Sequence, residues 1–549
     1  AEPLDEFIFW GDVILGDFDD VDKYLVDPKR LFTNVKEFRE IQDNFSYLSE
    51  TQREAMERFV RHFRTPSGDP GQGRQEVKER FLRIWNILLP LYDSFRNTLA
   101  AKGMSYEGMT YRNLADRLVD EPGSDVLAKS FPNVKEFVFV GLNALNECER
   151  AVARKMRKAG TGAFVWDFQG SLLRDPKNNA SLFMSRNISE LGQAFQLDDT
   201  GIGIPEIEVI SVPSSTGQAK LIPSVVKDDS YAVILPDESL LIPVLNSIPP
   251  EIKDINVTMG YPMRGSAFSD FFGLVSAMQN RLSKKDGKWY FYHSHVWGIF
   301  SSGLFKRVAA GDQSTKAIVE AVKKEAKYYV PEEDLAGSSL LELVFKPVIT
   351  DPLSPSKTQT ASYAGYLKNL IRGLAAIMAP DPDMAIELEF AKKAYNAINQ
   401  LADKEIEVLP ATFSRLLEQL LSPMSVPFNG EPLKGLQIMG PLETRALDFK
   451  HMVILSCNEG IFPRRGVSSS FIPPELRKGF GLPTYEYQDA IWSYYFYRMI
   501  QRAETVTLVY DSRTEGLKNG EESRFIKQLE YHYNLPIKRS LVRAGAKIH

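Results

Sequence analysis

The stretch Leu436-Gln437-Ile438-Met439-Gly440-Pro441-Leu442-Glu443-Thr444-Arg445-Ala446-Leu447-Asp448-Phe449, with Met452-Val453-Ile454-Leu455-Ser456 close behind, decides the fold. Two short apolar runs without helical spacing, separated by a Gly-Pro turn, read as buried strands. Working outward, Pro483 to Arg502 reads as one long helix rich in aromatic residues, and Val506-Thr507-Leu508-Val509-Tyr510 as a further strand. Strands that alternate with helices call for a mostly parallel sheet with helices on both faces.

The same texture recurs upstream. Lys135-Glu136-Phe137-Val138-Phe139-Val140-Gly141 reads as a buried strand ending at Gly, and Gly162-Ala163-Phe164-Val165-Trp166-Asp167 as a second. Ile207 to Val212 and Tyr231 to Leu235 read as two more. Between these blocks the period changes to that of helices, in Ala267 to Leu282, Thr315 to Tyr329 and Tyr363 to Met378. Residues 1–128 are mostly helical, with a Gly/Pro loop at Thr65 to Gly73 and Pro90 expected to kink or end the helix through Phe81 to Leu89.

With 549 residues the chain is too long for one core. No apolar run approaches the roughly 18 residues needed to span a bilayer. The start, Ala1-Glu2-Pro3-Leu4-Asp5, has neither a basic nor an apolar leader segment, so a signal peptide is not expected. Two cysteines, Cys148 and Cys457, offer no disulfide framework, and the chain is expected to be cytoplasmic. A net charge of −5 excludes a protein that coats DNA by bulk electrostatics, but leaves room for a local basic track.

Taken in order, Gly-Pro-Leu-Glu-Thr-Arg-Ala-Leu-Asp-Phe, the strand Val453-Ile454-Leu455, Asn458-Glu459-Gly460-Ile461-Phe462-Pro463 and the helix ending Gln501-Arg502-Ala503 resemble the second motor lobe of superfamily 1 helicases. There a strand enters a K-G-L-E-F turn, an E-G-x-F-P segment follows, and a later helix carries T-R-A. The wording is closer to AddB-type subunits of the AddB and RecB helicase-nucleases than to stand-alone helicases. The segments Leu240 to Pro249 and Ile255 to Pro262 also resemble Bacteroidetes PD-(D/E)XK nuclease family proteins of the AddB type. The resemblance implies an α/β fold of two RecA-like, P-loop NTPase-type lobes with helical insertions. Its parts would be a helical 1B-like region at 1–128, the remainder of lobe one at 129–205, the start of lobe two at 206–262, a 2B-like insertion at 263–405, and the remainder of lobe two at 406–549.

The resemblance also assigns roles. Arg502 inherits the arginine that meets the γ-phosphate in working motors. Arg445 and Asp448 stand in the turn, where Ala446 replaces the family's Gly. Gln169, in Val165-Trp166-Asp167-Phe168-Gln169, is the candidate sensor of a loose G-D-x-x-Q motif. Trp166 is a candidate for stacking on a base, although a Trp beside a buried strand is also what a core packs. Ser214 to Lys220 opens a helix after a strand, which makes Gln218 and Lys220 DNA-facing candidates, with simple N-capping by Ser214 equally in view.

Other features point away from catalysis. An active motor has Asp-Glu after its Walker B strand; here Val140-Gly141-Leu142-Asn143 stands there, and Gly-Leu offers magnesium no side-chain oxygen. Gly123 to Ser130 approaches a P-loop pattern but follows a helical stretch and precedes Phe131-Pro132. By the resemblance, the Walker A region would precede residue 1 and the nuclease would follow residue 549. Asp448-Phe449-Lys450 belongs to the lobe-two motif, and Glu389-Phe390-Ala391-Lys392 lies in a helix with the wrong spacing for a nuclease. His293 and His295 have no cysteine or carboxylate nearby for zinc, and Lys284, Lys285 and Lys288 read as a solvated loop.

The expected function is therefore a DNA-binding or scanning part of an AddAB/RecBCD-type helicase-nuclease acting at double-strand breaks, without ATPase activity of its own. No cofactor is expected in this chain; ATP and Mg²⁺ would serve an AddA-type partner subunit or the parent complex. Expected partners are DNA, single-stranded at broken ends, and that helicase subunit; no membrane is expected. The alternative is a motor-derived scaffold that docks a partner helicase without binding DNA.

Overall fold

A strand whose every side chain is buried needs neighbours on both edges and cover on both faces. Tyr231–Ile234 and Leu436–Met439 are such strands. The computed structural model describes residues 4–37, 72–120, 129–428, 434–464, 466, 470–514 and 520–542. Most of the Thr65 to Gly73 loop and of the P-loop-like stretch Gly123 to Ser130 lies outside them.

The chain opens with helices α1 (Leu4–Lys23), α2 (Pro28–Glu37), α3 (Gln72–Ala101) and α4 (Glu107–Asp120). Strand β1 (Phe137–Val140), α5 (Glu147–Lys158), β2 (Gly162–Val165) and α6 (Leu182–Leu191) follow. Next come β3 (Glu206–Val212), β4 (Tyr231–Ile234) and β5 (Ile255–Val257). A mostly helical stretch then carries β6 (Tyr261–Pro262), α7 (Ala267–Gln279), β7 (Ser283–Lys285), β8 (Lys288–Tyr292), α8 (His293–Ser301) and α9 (Gln313–Glu325). It continues through β9 (Tyr329–Pro331), α10 (Lys357–Met378), α11 (Ala385–Ala402), α12 (Pro410–Leu421) and β10 (Ser425–Val426). The last part holds β11 (Leu436–Met439), β12 (His451–Ile454), α13 (Tyr485–Ile500), β13 (Thr505–Asp511) and β14 (Ile537–Leu541).

Two compact units result. One contains Ala1–Ile8 and Val257–Pro432, the other Phe9–Asn256 and Leu433–His549. In the first, α7, α8, α10, α11 and α12 share a core built on Phe268, Phe271, Tyr363, Leu367, Phe390 and Phe413. The inserted region expected at 263–405 lies inside this unit; α12 and β10 extend it, because Phe413 and Leu417 belong to the same core. One local expectation is corrected here. Lys284, Lys285 and Lys288 lie in a β-hairpin rather than a loop, since Asp286 and Gly287 both take the positive φ (51° and 79°) that a tight two-residue turn requires. His293 and His295 lie in the first turn of α8.

In the second unit a seven-stranded sheet runs in the order β14-β3-β13-β12-β4-β11-β5. β14 through β11 are mutually parallel, with His451 opposite Thr505 and Ile454 opposite Leu508 in β12 and β13. β1 and β2 form a separate two-stranded parallel sheet. The sequence reading of β1 as buried is corrected: Val138 and Val140 are 56% and 58% exposed. One face only is covered, where Phe139 stacks on Phe164 at 5.2 Å and Phe164 on Trp166 at 5.7 Å. α5 begins with a capping box between Asn146 and Glu149, both bonds at 2.8 Å. Its buried Arg150 bonds Asn187 on α6 at 2.7 Å, which fixes the helix pair over the small sheet. Helix α3 does not end at Pro90 but runs to Ala101. Packing of Trp85, Leu88 and Tyr92 against Phe18 and Phe32 outweighs the lost backbone bond. Asp22, fully buried, accepts from Tyr92, Tyr106, Arg96 (2.5 Å) and Arg112 (3.2 Å), joining α1, α3 and α4.

Asp312 caps α9 by accepting from the Ser314 and Thr315 backbone at 3.0 and 3.2 Å, and from both hydroxyls. These donors hold its carboxyl well below the usual carboxylate range. A depressed folded-state pKa gives stability that is present above the unfolded value near 3.8 and lost as pH falls below it. Asp312→Ala should therefore lower stability by about 1 kcal/mol at neutral pH. Urea denaturation across the acid range should find the gap to wild type closing below pH ~4; a gap that persists there would remove the cap from the account.

Candidate functional site

Helix α13 places Tyr494 and Arg498 four residues apart on one face, and Arg502 continues that row just past its end. A guanidinium inside this aromatic helix needs an anion, because an unpaired buried charge is prohibitively costly. Arg498, 4% exposed, finds it in Asp167, just beyond β2, with Nε 2.6 Å from Oδ2. Its Nη2 lies 2.9 Å from Asp448 Oδ1, and its Nη1 donates to the Leu447 carbonyl. Tyr494 donates its hydroxyl to the Asp167 carbonyl at 2.8 Å. Burial and the Asp167 charge push the Tyr494 phenol above its ordinary value, which keeps it a donor. Arg502 donates to the Thr200 carbonyl at 3.0 Å, while its Nε stands 3.7 Å from Asp448 Oδ2.

Three segments thus converge: the end of β2, the turn after β11, and α13. The turn is closed by Thr444 Oγ1 on the Pro441 carbonyl (2.7 Å) and by the Leu447 amide on the Thr444 carbonyl (3.1 Å). Ala446 sits in it at φ 61°, a left-handed position natural to glycine. The end of β1 comes to the same place: a Cβ on Gly141 (φ +71°) would lie 3.7 Å from the Ala446 methyl. Leu142 packs into the neighbouring core.

The sequence candidates separate into two groups. Asp448, Arg502 and Arg445 gather around this junction, Arg445 exposed and close enough to Tyr494 for its charge to be felt there. Gln169 is buried nearby; its Nε2 donates to the Trp166 carbonyl at 3.3 Å, and its Oε1 has no partner among the described residues. Trp166 is corrected from a base-stacking candidate to a core residue: the indole is 1% exposed and donates to the Gly192 carbonyl at 2.7 Å. Gln218 is likewise corrected: it is buried, and its Oε1 accepts from the Ser456 amide at 2.7 Å, pinning the bend after β12. Ser214 Oγ accepts from the Gly217 amide at 3.0 Å, so the cap at this five-residue helix is internal. Lys220 is exposed. Arg498 was missed by sequence reading; its signal was a lone charge in the apolar run Tyr494 to Ile500.

The junction is polar beyond its ion pairs. Buried atoms of Asn143, Asp167 (Oδ1), Gln169, Gln501 and Arg502 (Nε) have no hydrogen-bond partner among the described residues, whereas such groups are ordinarily satisfied. Gln501 Oε1 presses on Gly170, where a Cβ would approach to 2.6 Å and φ is +78°. Only glycine fits there. Among the described residues no group of three or more His, Cys, Asp or Glu side chains is placed to hold a metal ion. Gly141 and Leu142 bring no side-chain oxygen to the end of β1. The ion pairs themselves, two guanidiniums with two carboxylates, join the two sheets.

No protein-family model matches the chain, and a search of curated proteins finds no significant match. No described helix is long and apolar enough to cross a membrane.

Arg498→Met should cost about 3 kcal/mol or more, because it leaves Asp167 buried and unpaired. Arg502→Met, at a partly exposed site with one carbonyl contact, should cost about 1 kcal/mol or less. Chemical denaturation of the two variants reads the difference; equal losses would contradict the central place given to Arg498.

Proposed function

We propose that this chain is a helicase-derived α/β module of an AddB- or RecB-type helicase-nuclease, which holds single-stranded DNA near broken ends without hydrolysing ATP. In this reading the small sheet of β1 and β2 belongs to a RecA-like lobe one, and the seven-stranded sheet is a RecA-like lobe two with residues 257–432 inserted. The observation that carries it is the convergence of the end of β1, the end of β2, the turn after β11 and α13 at one junction. Those are the segments that the motif resemblance names, and the groups for magnesium are replaced there by Gly141 and Leu142. The work of translocation falls to an AddA-type partner, which with the parent complex would supply the ATP and Mg²⁺ chemistry. The setting is cytoplasmic, and strand cleavage belongs to a nuclease domain of the parent protein.

With Trp166 and Gln218 inside the core, DNA contact rests on exposed cations such as Lys220 and Arg445. A phosphate track of this kind binds without sequence preference and weakens with salt. A second reading, a scaffold that docks the partner helicase without touching DNA, is favoured by the exposed apolar face of Val138 and Val140.

The purified chain should release no phosphate from ATP with Mg²⁺, alone or with single-stranded DNA. A labelled oligonucleotide should bind weakly by anisotropy, more tightly at low salt. Combining Lys220→Ala with Arg445→Ala should lower the slope of log K against log salt by about 1.4, at about 0.7 per phosphate contact. Steady ATP turnover would refute the inactive-motor reading; absence of binding at low salt, with the partner present, would leave the scaffold.

A further inference from the structure

We infer that the Asp167 carboxylate fills, from within the chain, an oxyanion position built by Arg498, and so closes the junction of the two sheets without any nucleotide. The inference rests on the proposed function only for the identity of the displaced ligand, a phosphate-class anion.

All three nitrogens of Arg498 are engaged, on Asp167, Leu447 and Asp448. Of its two carboxylates, Asp448 is 48% exposed and shared with Arg502, so its charge is partly screened by solvent. Asp167 is the buried one, and it comes from a different sheet. The planar guanidinium fork that grips a carboxylate grips a phosphate equally well. Side chains from both sheets also share one core, in which Phe164, Trp166 and Leu173 join Met439, Ile454, Tyr494 and Leu508. The small sheet is therefore docked, and its charged tip seals the contact.

The remaining polar atoms agree with a site that repels further anions while Asp167 is in place. Asp167 Oδ1 is a buried acceptor without a donor among the described residues. An incoming phosphate would meet the Asp167 charge at the very nitrogen it sought on Arg498. Removing the Asp167 carboxylate takes that charge away and leaves Arg498 with only the half-exposed Asp448 as counter-ion.

The test uses the whole chain and inorganic pyrophosphate as probe, read by calorimetric titration and by thermal unfolding. Wild type should give no Arg498-dependent binding. Asp167→Ala should unfold at lower temperature, regain stability with pyrophosphate, and bind it tighter than wild type by about tenfold or more, since a like charge has been removed. The double variant Asp167→Ala with Arg498→Met should not respond. If Asp167→Ala does not fold, the near-isosteric Asp167→Asn serves in its place. A folded variant indifferent to pyrophosphate overturns the inference, as does pyrophosphate binding by wild type that Arg498→Met abolishes. Single-stranded DNA anisotropy on the same samples keeps the two ideas apart. Lost DNA binding with the pyrophosphate response intact rejects the functional reading alone; the converse rejects only this one.

Discussion

One buried guanidinium sets the terms for the larger unit. Arg498 lies in a helix whose neighbours Tyr494, Phe496, Tyr497 and Met499 are all core, a setting in which an uncompensated charge would unfold the protein. Its compensation has to come from outside the helix. Asp167 and Asp448 provide it, and each drags a strand end with it. The positions of β2, of the turn after β11 and of α13 are in that sense three consequences of a single electrostatic requirement. Apolar contact glues the same parts together, but without direction; the fork of the guanidinium gives them a register.

The parts of the fold that were legible in the sequence are those that burial alone dictates. β4, β11 and β12 are apolar runs with strands on either side, so their composition announces them. β14, with Lys538 and Arg539 in its middle, carries no such mark: it is an edge strand added to β3, and its charges face Glu208, Glu522 and Glu530. β1 misled in the opposite direction. Phe137-Val138-Phe139-Val140 is as apolar as a central strand, yet it belongs to a sheet with one covered face. The candidate site divides along the same line. Asp448, Arg502 and Arg445 came from ordered motifs and lie together, whereas Trp166 and Gln218 were chosen for what their chemistry could do on a surface. Their hydrogen bonds to Gly192 and Ser456 are made by distant segments, which no local pattern could disclose.

Ala446 links the motif resemblance to the geometry. The family turn has glycine at this place, and here an alanine adopts φ 61° regardless. The left-handed backbone costs about 1–2 kcal/mol without glycine. That it is retained means that the turn is held by its surroundings, by the Thr444 bonds and by the Leu447 carbonyl that receives Arg498. On the proposed reading, this is a motor turn kept for its architecture after the demands of nucleotide had lapsed.

The order of the large sheet has a consequence for how the chain is put together. β5 and β11 are neighbours, and they are also the last strand before, and the first after, the helical stretch. The Asn256 amide bonds the Gln437 side chain at 2.7 Å, and the Leu436 amide the Asp254 carbonyl at 2.9 Å. The last strand before the helical stretch and the first after it therefore lie side by side at one edge of the sheet. That edge pairing closes a chain separation of 181 residues, and the entropy of so long a loop makes it a slow contact to form in folding.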